Sequence, residues 1–169
     1  MLVPTIPFAT VNQMERDRFV ATLGAIFEQT PEIAAAVWPQ RPFNSVDDLH
    51  AAMVNEMRSL PTDRQLDLIR AHPELGSRAE MAPASEKEQS GAGLQRLSPE
   101  DFARFQTLNR TYRDKCGFPF VLAVKTRTKA DILEAFDRRL QRSTDEEFRE
   151  ALAQIAEIAR LRLNEAIAD

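Results

Sequence analysis

Hydrophobic residues recur along most of the chain at the spacing of an α-helix. In the first predicted helix, Phe19, Leu23, Ile26 and Phe27 share one face. Similar apolar faces and breaker residues predict helices over about 14–29, 31–38, 46–60, 62–72, 85–97, 99–116, 129–141 and 145–168. Strand-like alternation is almost absent. The pattern predicts an all-α protein, a compact single domain over residues 1–169 built as a bundle of about seven or eight helices.

Capping residues mark several of the predicted helix starts. Ser98 precedes Pro99, which suits the first helical position, and Thr128 precedes another apolar face. Ser85 and Glu88 have the Ser-x-x-Glu spacing of a capping box, so we expect Ser85 to cap the helix over 85–97.

Two stretches depart from the helical pattern. Gly91 and Gly93 fall inside the helix predicted over 85–97, where each glycine costs up to about 1 kcal/mol relative to alanine. We expect them to permit close approach of a ligand or another helix. The apolar run 118–124 is extended in character, but it is too isolated to form a sheet.

The composition and charge of the chain limit the kinds of molecule that the protein is expected to bind. Of the 169 residues, 43% are hydrophobic and 28% are charged, and the formal net charge is -4. Without a basic excess, nucleic acid is not an expected partner, and no run of about 18 apolar residues predicts a membrane span. Cys116 is the one cysteine, which rules out an internal disulfide and suits the reducing cytoplasm. No metal-ligand, phosphate-loop or dinucleotide motif is present.

The last predicted helix carries an arginine in its apolar stripe. Alternating steps of four and three residues lead from Leu152 through Ile155 and Ala159 to Arg162. A charge at such a position needs a partner, a ligand or a route to water. Arg162 is therefore either paired with a structural carboxylate, extended towards solvent, or part of a binding site.

His72 is the second candidate for chemistry. It stands at the end of the helix over 62–72, and Pro73 after it disfavours further helix. A histidine titrates near neutral pH, so one held in place can move protons. The alternative is a helix-end histidine that only contacts terminal carbonyl groups.

Four motifs occur in order along the chain. They are His-Pro-Glu-Leu-Gly at 72–76, Ser-x-x-Glu-Gln-x-x-Ala-Gly-Leu at 85–94, Phe-x-x-Leu-Asn-x-x-Tyr-x-x-Lys at 105–115, and Gly-Phe-Pro-Phe-Val at 117–121. Together they resemble the 2-oxo-4-hydroxy-4-carboxy-5-ureidoimidazoline (OHCU) decarboxylase family, over about residues 14–165. The combination is far more specific than any one motif.

The resemblance implies a small all-α enzyme, usually a homodimer, that acts late in urate breakdown. It would convert a small anionic ureidoimidazoline, the hydrolysis product of 5-hydroxyisourate, into (S)-allantoin and carbon dioxide. It would use no metal or organic cofactor.

The family's catalytic residues map onto His72 and Glu88. Which of the two delivers the final proton stays open. The substrate-binding positions that the resemblance implies are Pro73, Ser85, Gln89, Phe118, Phe120 and Arg162. Two residues depart from the family pattern near the fourth motif: Cys116 replaces a frequent aromatic residue, and Thr126 replaces a frequent glycine.

Two other functions remain open from the residues alone. One is a non-catalytic helical interaction module, in which Ser85 and Glu88 only cap a helix and Arg162 is only a paired charge. The other is a different small-molecule lyase or hydrolase on the same scaffold.

Overall fold

The computed structural model describes residues 5–169, and helices dominate it. Residues 1–4 of the expected domain lie outside the described residues. In chain order the elements are β1 (Ile6–Pro7), α1 (Phe8–Gln13), α2 (Arg16–Leu23), α3 (Glu32–Val37), a 3-10 turn (Trp38–Gln40), α4 (Val46–Ser59), α5 (Thr62–Ala71), α6 (Pro83–Gly91), α7 (Pro99–Cys116), α8 (Lys129–Arg139), α9 (Thr144–Ala166) and β2 (Ile167–Ala168). The all-α class is confirmed. Within residues 5–169, no helix is long and apolar enough to cross a membrane.

The start of the chain differs from the helix predicted over 14–29. Helix α1 precedes that range, and α2 ends at Leu23, so Ile26 and Phe27 are buried outside any helix. Gly24 occupies the C-cap of α2, where a Cβ atom would clash with the Val20 carbonyl oxygen and stand 3.2 Å from the Cβ of Pro31. Glycine therefore suits this position.

Capping by side chains is confirmed at several helices. The Ser98 hydroxyl accepts a hydrogen bond from the Asp101 amide at 3.1 Å. Thr128 and Asp131 form a reciprocal capping box at the start of α8. These bonds satisfy amides that have no partner inside the helix.

The extended run 118–124 forms no strand, as expected from its isolation. The short sheet that does form lies elsewhere: Ile6 and Pro7 pair in parallel with Ile167 and Ala168. Two-residue strands carry no periodicity, so the sequence pattern gave no sign of this pairing.

The chain divides into two compact units. The first holds the described residues up to Leu68 together with Ala156–Asp169, and the second is Ile69–Ile155. The core of the first unit includes Val11, Phe19, Leu23, Ile33, Val37, Leu49, Met53, Met57, Ala159 and Leu163. In this unit the Nε2 atom of His50 lies 2.8 Å from the carbonyl oxygen of Ala156, which ties α4 to the last helix.

The second unit is organised around aromatic rings. Phe120 stacks on Phe136 with ring centroids 3.8 Å apart, and Tyr112 meets Phe120 edge-on at 5.2 Å. All three side chains are fully buried. Such pairs stabilise a core beyond the area that they bury.

A buried ion pair stands beside these rings. Arg139 and Glu147 are 1% and 0% exposed, and the Nε atom of Arg139 donates to Oε1 of Glu147 at 2.7 Å. The Tyr112 hydroxyl donates to the same oxygen at 2.5 Å. The Arg139 guanidinium also lies 4.2 Å from the centroid of the Phe120 ring, a cation–π distance. Two opposite charges inside a core are tolerated because they satisfy each other.

We predict that Arg139→Met lowers the free energy of unfolding by about 3–5 kcal/mol, because the Glu147 carboxylate is left buried without its main partner. The double variant Arg139→Met/Glu147→Leu should recover much of that loss. Urea unfolding curves measure both. Arg138→Met, on the exposed side of α8, is the control and should stay within about 0.5 kcal/mol of the wild type. A loss under about 1 kcal/mol in Arg139→Met would show that the pair is not needed.

Candidate active site

His72 is the first residue after helix α5, and its backbone amide donates to the Ile69 carbonyl at 3.2 Å. His72 as a whole is 7% exposed, so it is buried. Together with Pro73 and Phe118 it lines a pocket of about 380 Å³ in the second unit. Two parts of the chain that carry predicted residues, the adjacent pair His72 and Pro73 and the distant Phe118, therefore meet at one concave surface.

The charges of this pocket are nearly balanced. Arg70 and Arg113 line it on the basic side, and Glu74 and Glu80 on the acidic side. Arg113 forms an ion pair with Glu74. Uptake of a proton by His72 would therefore make the pocket formally cationic, which suits an anionic ligand.

The loop after Pro73 is held by two buried amide side chains. Gln89 accepts from the amide of Gly76 at 3.0 Å and donates to the Glu74 carbonyl at 3.2 Å. Asn109 donates to the Leu75 carbonyl at 2.8 Å. These bonds fix the backbone that follows His72, and they account for the Gln and Asn of the second and third motifs.

Helix α6 carries Ser85, Glu88 and Gln89, but Ser85 does not cap it. The helix begins at Pro83, Ala82 occupies the capping position, and no side chain caps the first turn. Proline is pre-organised for the first helical position, so it starts the helix two residues before Ser85. The predicted capping box is wrong. Ser85 and Gln89 are instead buried one turn apart, and Glu88 is half-buried beside them.

Gly91 is the last residue of α6, and Gly93 follows it. A Cβ atom at either glycine would meet no atom within 4 Å, so neither is needed for close approach of another helix. Close approach of a ligand stays a prediction. Gly93 has a φ of 77°, and the Leu94 amide donates back to the Gln89 carbonyl at 3.0 Å. This is a Schellman ending, in which glycine takes the left-handed conformation. It ends the helix at Gly91, short of the predicted Leu97.

The two phenylalanines of the fourth motif lie in different surroundings. Phe118 lines the pocket, whereas the Phe120 side chain is 0% exposed, packed between Tyr112 and Phe136. Phe120 is not among the residues that line the pocket, so its predicted contact with a ligand stays a prediction.

Arg162 lies in the first unit and has a structural partner. Its Nη2 atom donates to Oε1 of Glu28 at 2.9 Å, and both side chains are buried. Its Nη1 atom lies 3.3 Å from the carbonyl oxygens of Ala25 and Ile26. These contacts within the first unit match one of the alternatives predicted for Arg162, in which it pairs with a structural carboxylate.

Arg70 is a pocket residue that the sequence analysis missed. Its Nε and Nη2 atoms donate to the Gly117 carbonyl at 3.2 and 3.1 Å. The available signal in the sequence was its position two residues before His72.

Cys116 is a poor candidate nucleophile, because burial raises the pKa of its thiol. Across residues 5–169, no group of three or more His, Cys, Asp or Glu side chains is placed to hold a metal ion.

The helical fold and the pocket lined by His72 define an all-α protein with a concave surface whose size suits a small molecule. The OHCU decarboxylase family model matches residues 12–164. The chain is 45% identical over 155 residues to the OHCU decarboxylase of Halalkalicoccus jeotgali, covering 92% of this chain and 88% of that protein. It is 40% identical over 161 residues to the OHCU decarboxylase of Mus musculus, covering 93% and 90%.

A solved (S)-allantoin synthase has the same fold, with a TM-score of 0.80 and 30% identity. The match covers 96% of this chain and 54% of that one, so this chain spans about half of its length. The chain belongs to the OHCU decarboxylase family.

Proposed function

We propose that this protein decarboxylates OHCU to (S)-allantoin in urate breakdown. The observation that carries the proposal is the meeting of His72, Pro73 and Phe118 in one pocket of about 380 Å³. A pocket of that size suits a small ligand. Membership of the family supplies the reaction class, and the curated relatives named above carry this activity in their names.

The chemistry needs orientation and proton transfer more than a cofactor. The bond between the ring carbon and the carboxylate breaks, carbon dioxide leaves, and the electron pair passes to the neighbouring imine, whose nitrogen takes up a proton. The hydroxyl on that carbon loses its proton as a carbonyl forms, and a proton is added to the adjacent ring carbon. Addition from one face gives a single enantiomer. The protein must therefore fix the ring and supply the proton from one side.

His72 and Glu88 are the residues proposed to move protons. His72 would lie near the carboxylate and hydroxyl, supported by its position in the pocket at the end of α5. Glu88 would act as its acid–base partner or hold substrate nitrogens, supported by its half-buried place on α6.

The remaining residues are proposed to bind the substrate. Ser85 and Gln89 would hydrogen-bond its ring and ureido groups. Gln89 already holds Glu74 and Gly76, so it would act partly through the loop that follows His72. Arg162 would use its fork for a carbonyl or carboxylate. Pro73 shapes the pocket, and Phe118 and Phe120 would offer backbone groups.

We propose that residues 1–169 work as one domain, because the family model runs continuously across both units. We propose a homodimer from the family resemblance. We propose a cytoplasmic location because Cys116, the one cysteine of the sequence, is a buried free thiol. The alternative of a non-catalytic helical module is not favoured, because the matching family is named for a decarboxylase and because His72, Pro73 and Phe118 line one pocket. Ser85, Glu88, Gln89, Phe120 and Arg162 are not among the residues that line it.

We predict that the wild-type protein, supplied with freshly generated 5-hydroxyisourate and its hydrolase, accelerates formation of (S)-allantoin. His72→Ala and Glu88→Ala should each lower kcat/KM by about 10²–10⁴-fold, the usual contribution of general acid–base catalysis. Circular dichroism of the allantoin formed measures both rate and handedness. The uncatalysed route gives a racemate.

Glu86→Ala is the matched control, since Glu86 is an exposed acid on the same helix. It should retain turnover, and far-ultraviolet circular dichroism should show that all variants are folded. Racemic allantoin at the uncatalysed rate from the wild type would rule out the proposed function. Near-wild-type turnover in both His72→Ala and Glu88→Ala would rule out their roles.

We predict that Arg162→Gln and Glu28→Gln have different kinetic effects although both disrupt the same buried pair. Arg162→Gln should lower kcat/KM by more than about tenfold, because it removes a fork that binds the substrate. Glu28→Gln keeps the guanidinium and should lose much less. Steady-state kinetics at a temperature where both variants are folded makes the comparison. Equal losses would mean that Arg162 serves only as the partner of Glu28.

A further inference from the structure

The segment 117–124 belongs to no helix or strand, and its first three residues, Gly117, Phe118 and Pro119, line the pocket. It is buried from Phe118 to Val124. Buried backbone amides and carbonyls need partners, and a segment outside regular structure must find them elsewhere. In this segment, side chains from neighbouring elements supply several of them.

Two arginines hold carbonyl groups of the segment. Arg70, from helix α5, donates from two nitrogen atoms to the Gly117 carbonyl. Arg139, from helix α8, donates from Nη1 to the Val121 carbonyl at 2.6 Å. Phe118, Pro119 and Phe120 lie between these two points. Further along, the Gln154 side chain accepts from the Ala123 amide at 3.0 Å.

The anchor at Arg139 is stiff for a physical reason. Its guanidinium is fixed by Glu147 on one edge and lies over the Phe120 ring. An arginine donates through a planar fork, so fixing one edge also fixes the direction of the other. The position of the Val121 carbonyl is therefore set by the buried ion pair.

The anchor at Arg70 links the two walls of the pocket. Arg70 stands two residues before His72, at the end of α5, and its guanidinium reaches across to Gly117. The distance between His72 and the backbone of Phe118 thus depends on an exposed side chain that is not itself part of the core.

We infer that Arg70 and Arg139 are positioning residues for the reaction: they hold the backbone of Phe118–Phe120 at a fixed place opposite His72. The inference rests on the proposed function. In this role both arginines act through the backbone that they hold. Misplacing a substrate-binding group by about 1 Å can cost about 10²-fold in rate, so loosening either anchor should slow turnover.

The test uses Arg70→Met, which keeps the aliphatic stem and removes both donors, and Arg70→Lys, which keeps a single donor. Arg138→Met is the control, because Arg138 is an exposed arginine that contributes no anchor to the segment. Arg139→Lys is a second variant at the buried anchor. Hydrogen exchange of the peptide covering 117–124, steady-state kinetics and the enantiomeric excess of allantoin are measured on each full-length protein.

We expect Arg70→Met to fold with an unchanged Tm, to exchange the 118–124 amides about tenfold faster, and to lower kcat/KM by about 10- to 100-fold. Its enantiomeric excess should fall at matched conversion, because a loosely held substrate is protonated from both faces. Arg70→Lys should recover part of the rate. Arg138→Met should match the wild type in all three measurements.

Unchanged exchange in Arg70→Met would overturn the inference, because the arginine would not hold the segment. Faster exchange with unchanged kcat/KM and enantiomeric excess would also overturn it, because the position of the segment would not matter. Turnover in the wild type separates these outcomes from failure of the proposed function. A wild-type protein without turnover would overturn the proposed function and this inference together.

Discussion

The buried pair of Arg139 and Glu147 is the constraint on which the second unit depends. Both side chains are buried, so removing either one leaves the other charge without its main partner. Nη1 of Arg142 lies 3.5 Å from the second oxygen of the Glu147 carboxylate. Tyr112 donates to the same carboxylate oxygen, and burial raises the pKa of its phenol, which keeps it neutral and able to donate. Helices α7, α8 and α9 are thereby joined at one point inside an otherwise aromatic core.

The same pair explains how irregular backbone can form a precise pocket. The walls are loops, which lack the hydrogen-bond ladders of helices and strands. Side chains take their place: Gln89 and Asn109 hold the backbone of 74–76, and Arg70 and Arg139 hold 117 and 121. Loops held at several points by buried polar groups behave as rigid parts of a fold. The chemistry proposed at His72 requires that rigidity.

The fold class and the unusual position of Arg162 could be predicted from the sequence, and the wrong predictions have identifiable physical causes. Helical periodicity gave the fold class, and a charge in an apolar stripe singled out Arg162. Arg139 carries the same signal, because it follows Ile132 and Phe136 on the buried face of α8. The capping box at Ser85 failed because Pro83 is a stronger start signal. The partners of Gln89 and Arg70 could not be predicted, because loop backbone positions depend on tertiary packing.

We expect catalysis to take place where His72 faces the backbone of the fourth motif. A crystal structure of this protein with (S)-allantoin bound would show whether the ligand lies there. Density for the ligand should contact both the His72 imidazole and backbone atoms of Phe118 or Phe120. Allantoin bound in a well-ordered site that touches neither His72 nor this segment would contradict this expectation.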